Sequence, residues 1–110
     1  MLETPAFKGL TSKDSFSGIY GEHTGTNGYG TVGIGKGGLG AGVLGRNDTG
    51  YGGQFEGGKA QLKLKAVGSA GKPSGAHTKG EVYMDSAGAL FVCVKGGIPG
   101  TWRKVSTTAV

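Results

Sequence analysis

The chain is short of almost everything that lets a small protein fold alone. It has one cysteine, Cys93, so a disulfide framework is excluded. No apolar run is longer than the six residues from Ala89 to Val94, far too short for a transmembrane helix, and membrane insertion is not expected. The opening Met1-Leu2-Glu3-Thr4-Pro5 lacks the charged start and apolar stretch of a signal peptide. Proline occurs only three times and the glycines keep no strict third-residue period, which excludes collagen. Hydrophobic residues fill 35% of the 110 positions, too few for a monomer to offset the cost of ordering the rest.

What is abundant is glycine. There are 26, more than three times the usual ~7%, and each costs roughly 0.5–1 kcal/mol more than alanine to order. A Gly-rich polar chain can simply stay unfolded. Here, however, the glycines are arranged. Residues 18–58 hold 17 of them, and the tetrapeptide Gly18-Ile19-Tyr20-Gly21 returns as Gly30-Thr31-Val32-Gly33 and Gly42-Val43-Leu44-Gly45, twelve residues apart each time. A degenerate fourth copy starts ten residues later at Gly52-Gly53-Gln54-Phe55. This is an internal repeat. Between the copies lies turn chemistry such as Arg46-Asn47-Asp48-Thr49-Gly50, so the units read as very short strands joined by tight bends. At ~1 kcal/mol per helical glycine, no helix is expected there.

From Lys59 the composition changes. Residues 60–66, Ala-Gln-Leu-Lys-Leu-Lys-Ala, alternate as a strand with one wet face; residues 68–80 are a loop by composition. Residues 81–84 and 89–95 flank Asp85-Ser86-Ala87-Gly88, a hairpin connection with Gly at the left-handed position, and residues 101–105 supply a last strand. The predicted fold is therefore all-β and ends in a small antiparallel meander. It divides into an N-terminal linker or docking segment (1–17), a repeat region (18–58) and a C-terminal β-module (59–110). Charge divides at the same place: residues 1–58 carry four Lys/Arg and five Asp/Glu, residues 59–110 eight and two.

Motifs that promise chemistry do not survive their context. Three matches to the dinucleotide fingerprint fall between Gly28 and Gly45, where no helix can follow any of them. Two phosphate-loop imitations, ending at Lys36 and Lys59, have Gly37 and Ala60 where a magnesium-binding Ser or Thr belongs. No cofactor is implied. The metal ligands His23, His77 and Cys93 are widely spaced and the two histidines read as solvated loop residues, although a threefold assembly would bring three copies of either to an axis. Cys93 reads as a small core hydrophobe. The carboxylates Glu22, Asp48, Glu56, Glu81 and Asp85 sit in bends or at a strand start, where a solvated or turn-forming role is expected, so no enzyme is predicted. Lys63, Lys65, Lys95, Arg103, Lys104 and Trp102 suit an anionic glycan; nucleic acid is disfavoured by the modest charge and only two arginines. The same lysines also serve merely to keep a strand face soluble and guard a sheet edge.

The Gly-φ-φ-Gly repeat resembles the shafts of bacteriophage tail fibres and the tail tips of contractile injection systems. Residues 80–105, with Gly80-Glu81-Val82-Tyr83-Met84-Asp85, a Gly turn, an apolar strand and Thr101-Trp102, look like the short β-module that often ends such fibres. Together these matches cover residues 17–105. The resemblance implies an intertwined homotrimeric triple-stranded β-helix shaft followed by the β-meander tip. Ile19, Tyr20, Val32, Val43 and Leu44 would then point inward, because two to four apolar residues per unit can be buried only when several chains share an axis. It further implies attachment of an extracellular particle, assembled in the cytoplasm, to a cell-surface receptor such as a polysaccharide, with avidity from threefold display. The N-terminus would join a larger fibre or baseplate. Receptor-contact candidates, taken as exposed aromatic or cationic groups, are Tyr83, Lys95, Trp102, Arg103 and Lys104. Two other roles fit the same residues: a structural spike or cap whose C-terminal module nucleates trimerisation, and a fragment of a polysaccharide-degrading tailspike.

Overall fold

The computed structural model describes residues 7–66 and 68–110; the start of the proposed docking segment, residues 1–6, lies outside the described residues. The chain is all-β, with no helix among the described residues and one three-stranded antiparallel sheet. It divides into two units, Met1–Gly53 and Gln54–Val110.

The first unit forms no strand of its own among the described residues, and apart from half-buried Gly9 every one of them is exposed. The reason is compositional: the short apolar pieces have neither a ladder partner nor an apolar layer to cover them within one chain. What organises the unit is a series of backbone approaches between glycines. A Cβ on Gly21 would lie 2.5 Å from the carbonyl oxygen of Gly30, and one on Gly30 2.8 Å from that of Gly21. The same meeting occurs between Gly33 and Gly42 (2.7 Å from Gly42), between Gly9 and Gly18 (3.1 Å from Gly18) and between Gly45 and Gly52 (3.2 Å from Gly52). Each pair closes the stretch between its members into a loop. In the last loop Asn47 Oδ1 accepts the N–H groups of Thr49 and Gly50 at 3.0 and 2.7 Å, so the turn chemistry read from the sequence is in place.

The first members of these pairs, Gly9, Gly21, Gly33 and Gly45, keep the twelve-residue period, and Gly57 continues it by meeting the Ala60 carbonyl. The period therefore reaches back to Gly9, inside the segment that the sequence assigns to a linker or docking role. It also distinguishes the two apolar positions of each copy. Ile19, Thr31 and Val43 lie against Gly9, Gly21 and Gly33, each glycine ten residues earlier in the chain, and Thr31 is a position that hydrophobicity alone passes over.

The second unit holds the sheet. Strands β1 (Val82–Met84), β2 (Leu90–Lys95) and β3 (Thr101–Lys104) lie in the order β1-β2-β3. Register pairs Val82 with Val92, Tyr83 with Phe91 and Met84 with Leu90, then Phe91 with Lys104, Val92 with Arg103 and Cys93 with Trp102. The predicted meander is thus formed, with Gly88 at φ 84° in its hairpin. A bulge between Cys93 and Lys95 shifts the register so that Lys95 faces Thr101. The strand expected over residues 60–66 is absent. It has no neighbour to pair with, and Leu62 and Leu64 stay exposed, so alternation alone does not make a strand.

Candidate functional site

Residues opposite one another across antiparallel strands share a face of the sheet. Tyr83, Phe91, Cys93, Trp102 and Lys104 therefore lie on one face, and the loop of residues 68–80 folds over it. His77 exchanges both backbone hydrogen bonds with Gly97 at 3.0 Å, which pins the loop to the chain just after β2. Its ring then meets Trp102 edge-on, centroids 5.1 Å apart and planes at 78°, while Tyr83 approaches the same indole at 6.4 Å and 67°. Trp102 Nε1–H donates to the Pro99 carbonyl at 2.8 Å. Beneath them Cys93, 1% exposed, directs its thiol to the Lys95 carbonyl at 3.3 Å. The core role expected of Cys93 is what the fold gives it.

Two carboxylates fasten this loop to the sheet. Asp85, 2% exposed, accepts the N–H groups of Ala87 and Ala89 through Oδ1 at 3.0 and 2.8 Å and that of Gly71 through Oδ2 at 2.7 Å. One side chain thus shapes the hairpin and ties a loop residue fourteen positions upstream. The Gly71 N–H above all, then Ala89 and Ala87, with the nearby charge of Lys104, hold the Asp85 carboxyl below its usual value. Glu81 accepts His77 Nδ1–H at 2.9 Å through Oε1, and the N–H and hydroxyl of Thr78 through Oε2, the latter at 3.1 Å. His77 Nε2 faces the Ser74 carbonyl at 2.8 Å. A carboxylate and a carbonyl only accept, so this pair of contacts is fully satisfied only by the protonated ring, in which both nitrogens donate. Glu81, then Ser74, raises the His77 pKa above 6.5, and His77 in turn lowers that of Glu81 below 4.5.

The sign of the linkage follows. A raised histidine stabilises below 6.5 and loses that contribution as pH rises through its folded value; a lowered carboxylate stabilises above 4.5 and loses it as pH falls through its own. The latch is complete between those two ordinary values. We expect the ring-proton resonance of His77 to titrate with a midpoint above 6.5 by NMR and to move down in Glu81→Gln; a midpoint indifferent to that substitution would refute the latch.

The five receptor-contact candidates are not a single cluster. Lys95, Arg103 and Lys104 are exposed as expected, whereas Tyr83 and Trp102 are half-buried and packed together with His77. Aromatic residues stay exposed only where nothing apolar is near to cover them, and here a loop is. Register puts Lys104 on the Trp102 face and Arg103, opposite Val92, on the other. His77 is likewise half-buried instead of solvated, because the bridge to Gly97 draws it in. Asp85 forms its turn but is not solvated. The i,i+4 spacing of His77 and Glu81 was visible in the sequence; what it lacked was the loop path that brings them to Trp102.

As for metals, both nitrogens of His77 are engaged, and His23 Nε2 donates to the Asn27 carbonyl at 2.6 Å. Among the described residues no group of three or more His, Cys, Asp or Glu is gathered closely enough to hold an ion. Compared with known proteins, the chain matches no family model, no curated protein and no solved structure.

Proposed function

We propose that this chain is one strand of a non-enzymatic homotrimeric fibre. In this reading its glycine repeats wind with two other copies into a triple-stranded β-helix, and its basic C-terminal module forms a tip that attaches an extracellular particle to a surface polysaccharide. One observation carries the assembly: a single chain leaves 10,319 Å² accessible. A folded monomer of 11.0 kDa would expose about 5,600 Å², and the same chain unfolded about 16,000 Å². Ile19, Tyr20, Val32, Val43 and Leu44, the residues assigned to the axis, are all exposed in one chain. A shared axis would cover them, and close backbone approach at the glycine pairs leaves no side chain in its way.

Attachment is supported by the charge excess of residues 59–110 and by the three exposed cations Lys95, Arg103 and Lys104. The internal engagement of Tyr83 and Trp102 favours a second reading, a structural tip without ligand. Sedimentation equilibrium tests the assembly: the expected mass is three times 11.0 kDa, and a compact particle of single-chain mass would overturn it. An anionic-glycan array separates the two tips. Binding that falls at least about tenfold in a Lys95→Ala/Lys104→Ala double variant supports attachment; silence on every glycan supports the structural tip.

A further inference from the structure

The chain has two asparagines, and their surroundings differ. Asn47 is held: its Oδ1 accepts the N–H groups of Thr49 and Gly50 at 3.0 and 2.7 Å. The nitrogen that follows it belongs to Asp48, whose carboxylate accepts Arg46 Nε–H at 2.9 Å. Asn27 is followed instead by Gly28, and among the described residues no group hydrogen-bonds the Asn27 side chain or the Gly28 N–H. Both residues are exposed. The ring of His23 lies against this peptide: Nε2 donates to the Asn27 carbonyl at 2.6 Å, and a Cβ on Gly28 would stand 2.5 Å from the same nitrogen and 2.7 Å from Cδ2. Beside that ring, and at φ 142°, glycine is the residue that fits.

We propose that Asn27–Gly28 is a self-modification site, at which His23 assists spontaneous succinimide formation and position 27 becomes aspartate or isoaspartate. Hydroxide removes the Gly28 amide proton, and the nitrogen attacks Cγ of Asn27. The N–Cγ bond forms, the Cγ–Nδ2 bond breaks, and Nδ2 leaves as ammonia with a proton from water, which returns the hydroxide. Water then opens the ring at either carbonyl. Opening at Cγ restores the main chain beside an aspartate; opening at the backbone carbonyl leaves an isoaspartate, with the main chain running through Cγ and longer by a methylene. The local structure helps the first step. Deprotonating an amide spreads negative charge onto its carbonyl oxygen, and that oxygen is the one His23 Nε2–H already holds. The missing Cβ leaves the attacking nitrogen unhindered. Asn47 has neither aid, and the Asp48 carboxylate opposes a second negative charge beside it. The isoaspartate product lengthens the loop that Gly21 and Gly30 close, so the change is felt in the repeat.

Incubation of the full chain in warm, mildly alkaline buffer tests this, with trypsin digestion and mass spectrometry as the readout against an unincubated sample. Cleavage after Lys13, Lys36, Arg46 and Lys59 puts Asn27 in peptide 14–36 and Asn47 in peptide 47–59. We expect peptide 14–36 to convert from amide to acid at least about tenfold faster than peptide 47–59, and part of its product to be methylated by an isoaspartate-specific methyltransferase. His23→Phe keeps a ring beside Gly28 but has no donor, and it should slow peptide 14–36 by about threefold, the scale of one hydrogen bond. His23→Gln, which can donate, should recover part of the rate. In urea, where the ring no longer meets the peptide, all three chains should convert alike. Equal rates for the two peptides would overturn the site. A His23→Phe chain that converts as fast as the unaltered one without urea would overturn the assistance by His23.

Discussion

Gly33→Ala should lower the melting temperature of the full chain by on the order of 10 °C, while Gly38→Ala, five residues away, should leave it unchanged or raise it slightly. The two substitutions add the same methyl group. At Gly33 it meets the Gly42 carbonyl and the Cγ2 of Val43; at Gly38 nothing lies within 4 Å and the backbone is not in the left-handed region. A carbonyl held in the next turn of chain has no rotamer to retreat into, so the backbones must part, at a cost of typically ~1–3 kcal/mol per overpacked site. At Gly38 the only effect is a less flexible unfolded chain, worth about 0.4–1 kcal/mol in the other direction. In the proposed trimer the penalty at Gly33 would be repeated in every copy. Equal melting temperatures for the two variants would show that the glycine pairing has no part in stability.

Asp85→Ala is expected to open the second unit. It leaves the Gly71, Ala87 and Ala89 N–H groups without their acceptor, two of them in the hairpin and one in the loop that covers Trp102. The readout is limited trypsin digestion: new cleavage after Lys79, within the released loop, should appear many-fold faster than in the unaltered chain, while Pro73 protects the bond after Lys72. Asp85→Asn keeps the shape but brings an NH2 group against one of the donors, so it should fall between the two. Acid should reproduce the effect. The folded carboxyl lies below its ordinary 3.8, so its contribution is fully present above that value and disappears as pH falls through the lowered one. Cleavage rates for Asp85→Ala that match the unaltered chain would remove Asp85 from this role.

The two halves of the chain were legible to different degrees. The meander could be read almost residue by residue, because Glu81 to Met84, the Asp85 to Gly88 connection and the apolar run after it are local signals whose partner strand lies a few residues away. Residues 60–66 show the limit of that reasoning. Their alternation satisfies the rule for a strand, yet a strand needs a neighbour, and the nearest β-capable segments pair with each other instead. In the repeats, the sequence displays the tetrapeptides and their twelve-residue spacing but not which glycines face which. Gly21 and Gly33 bound the recurring tetrapeptides on one side in the sequence; in space they meet Gly30 and Gly42 of the following copies. Seen that way, Gly9 and Gly57 belong to the same series.

The candidate site was the least legible. Composition identified Tyr83, Trp102 and the lysines, but treated the aromatics as surface groups and His77 as solvated, and left Asp85 between a solvated role and the turn-forming one that it has. Their actual surroundings depend on a thirteen-residue loop (68–80) that folds back across the sheet, held by Asp85 at one end and by His77 and Glu81 at the other. By itself the sequence determined the all-β class of the fold, the absence of helices among the described residues, the twelve-residue period and the small share of apolar side chains, since all of these follow from local backbone preference and from composition. Only the tertiary structure decided which face of the sheet is covered, which carboxylates are buried, and which glycines touch. Those outcomes turn on where distant segments come to rest, and distance along a chain does not encode distance in space.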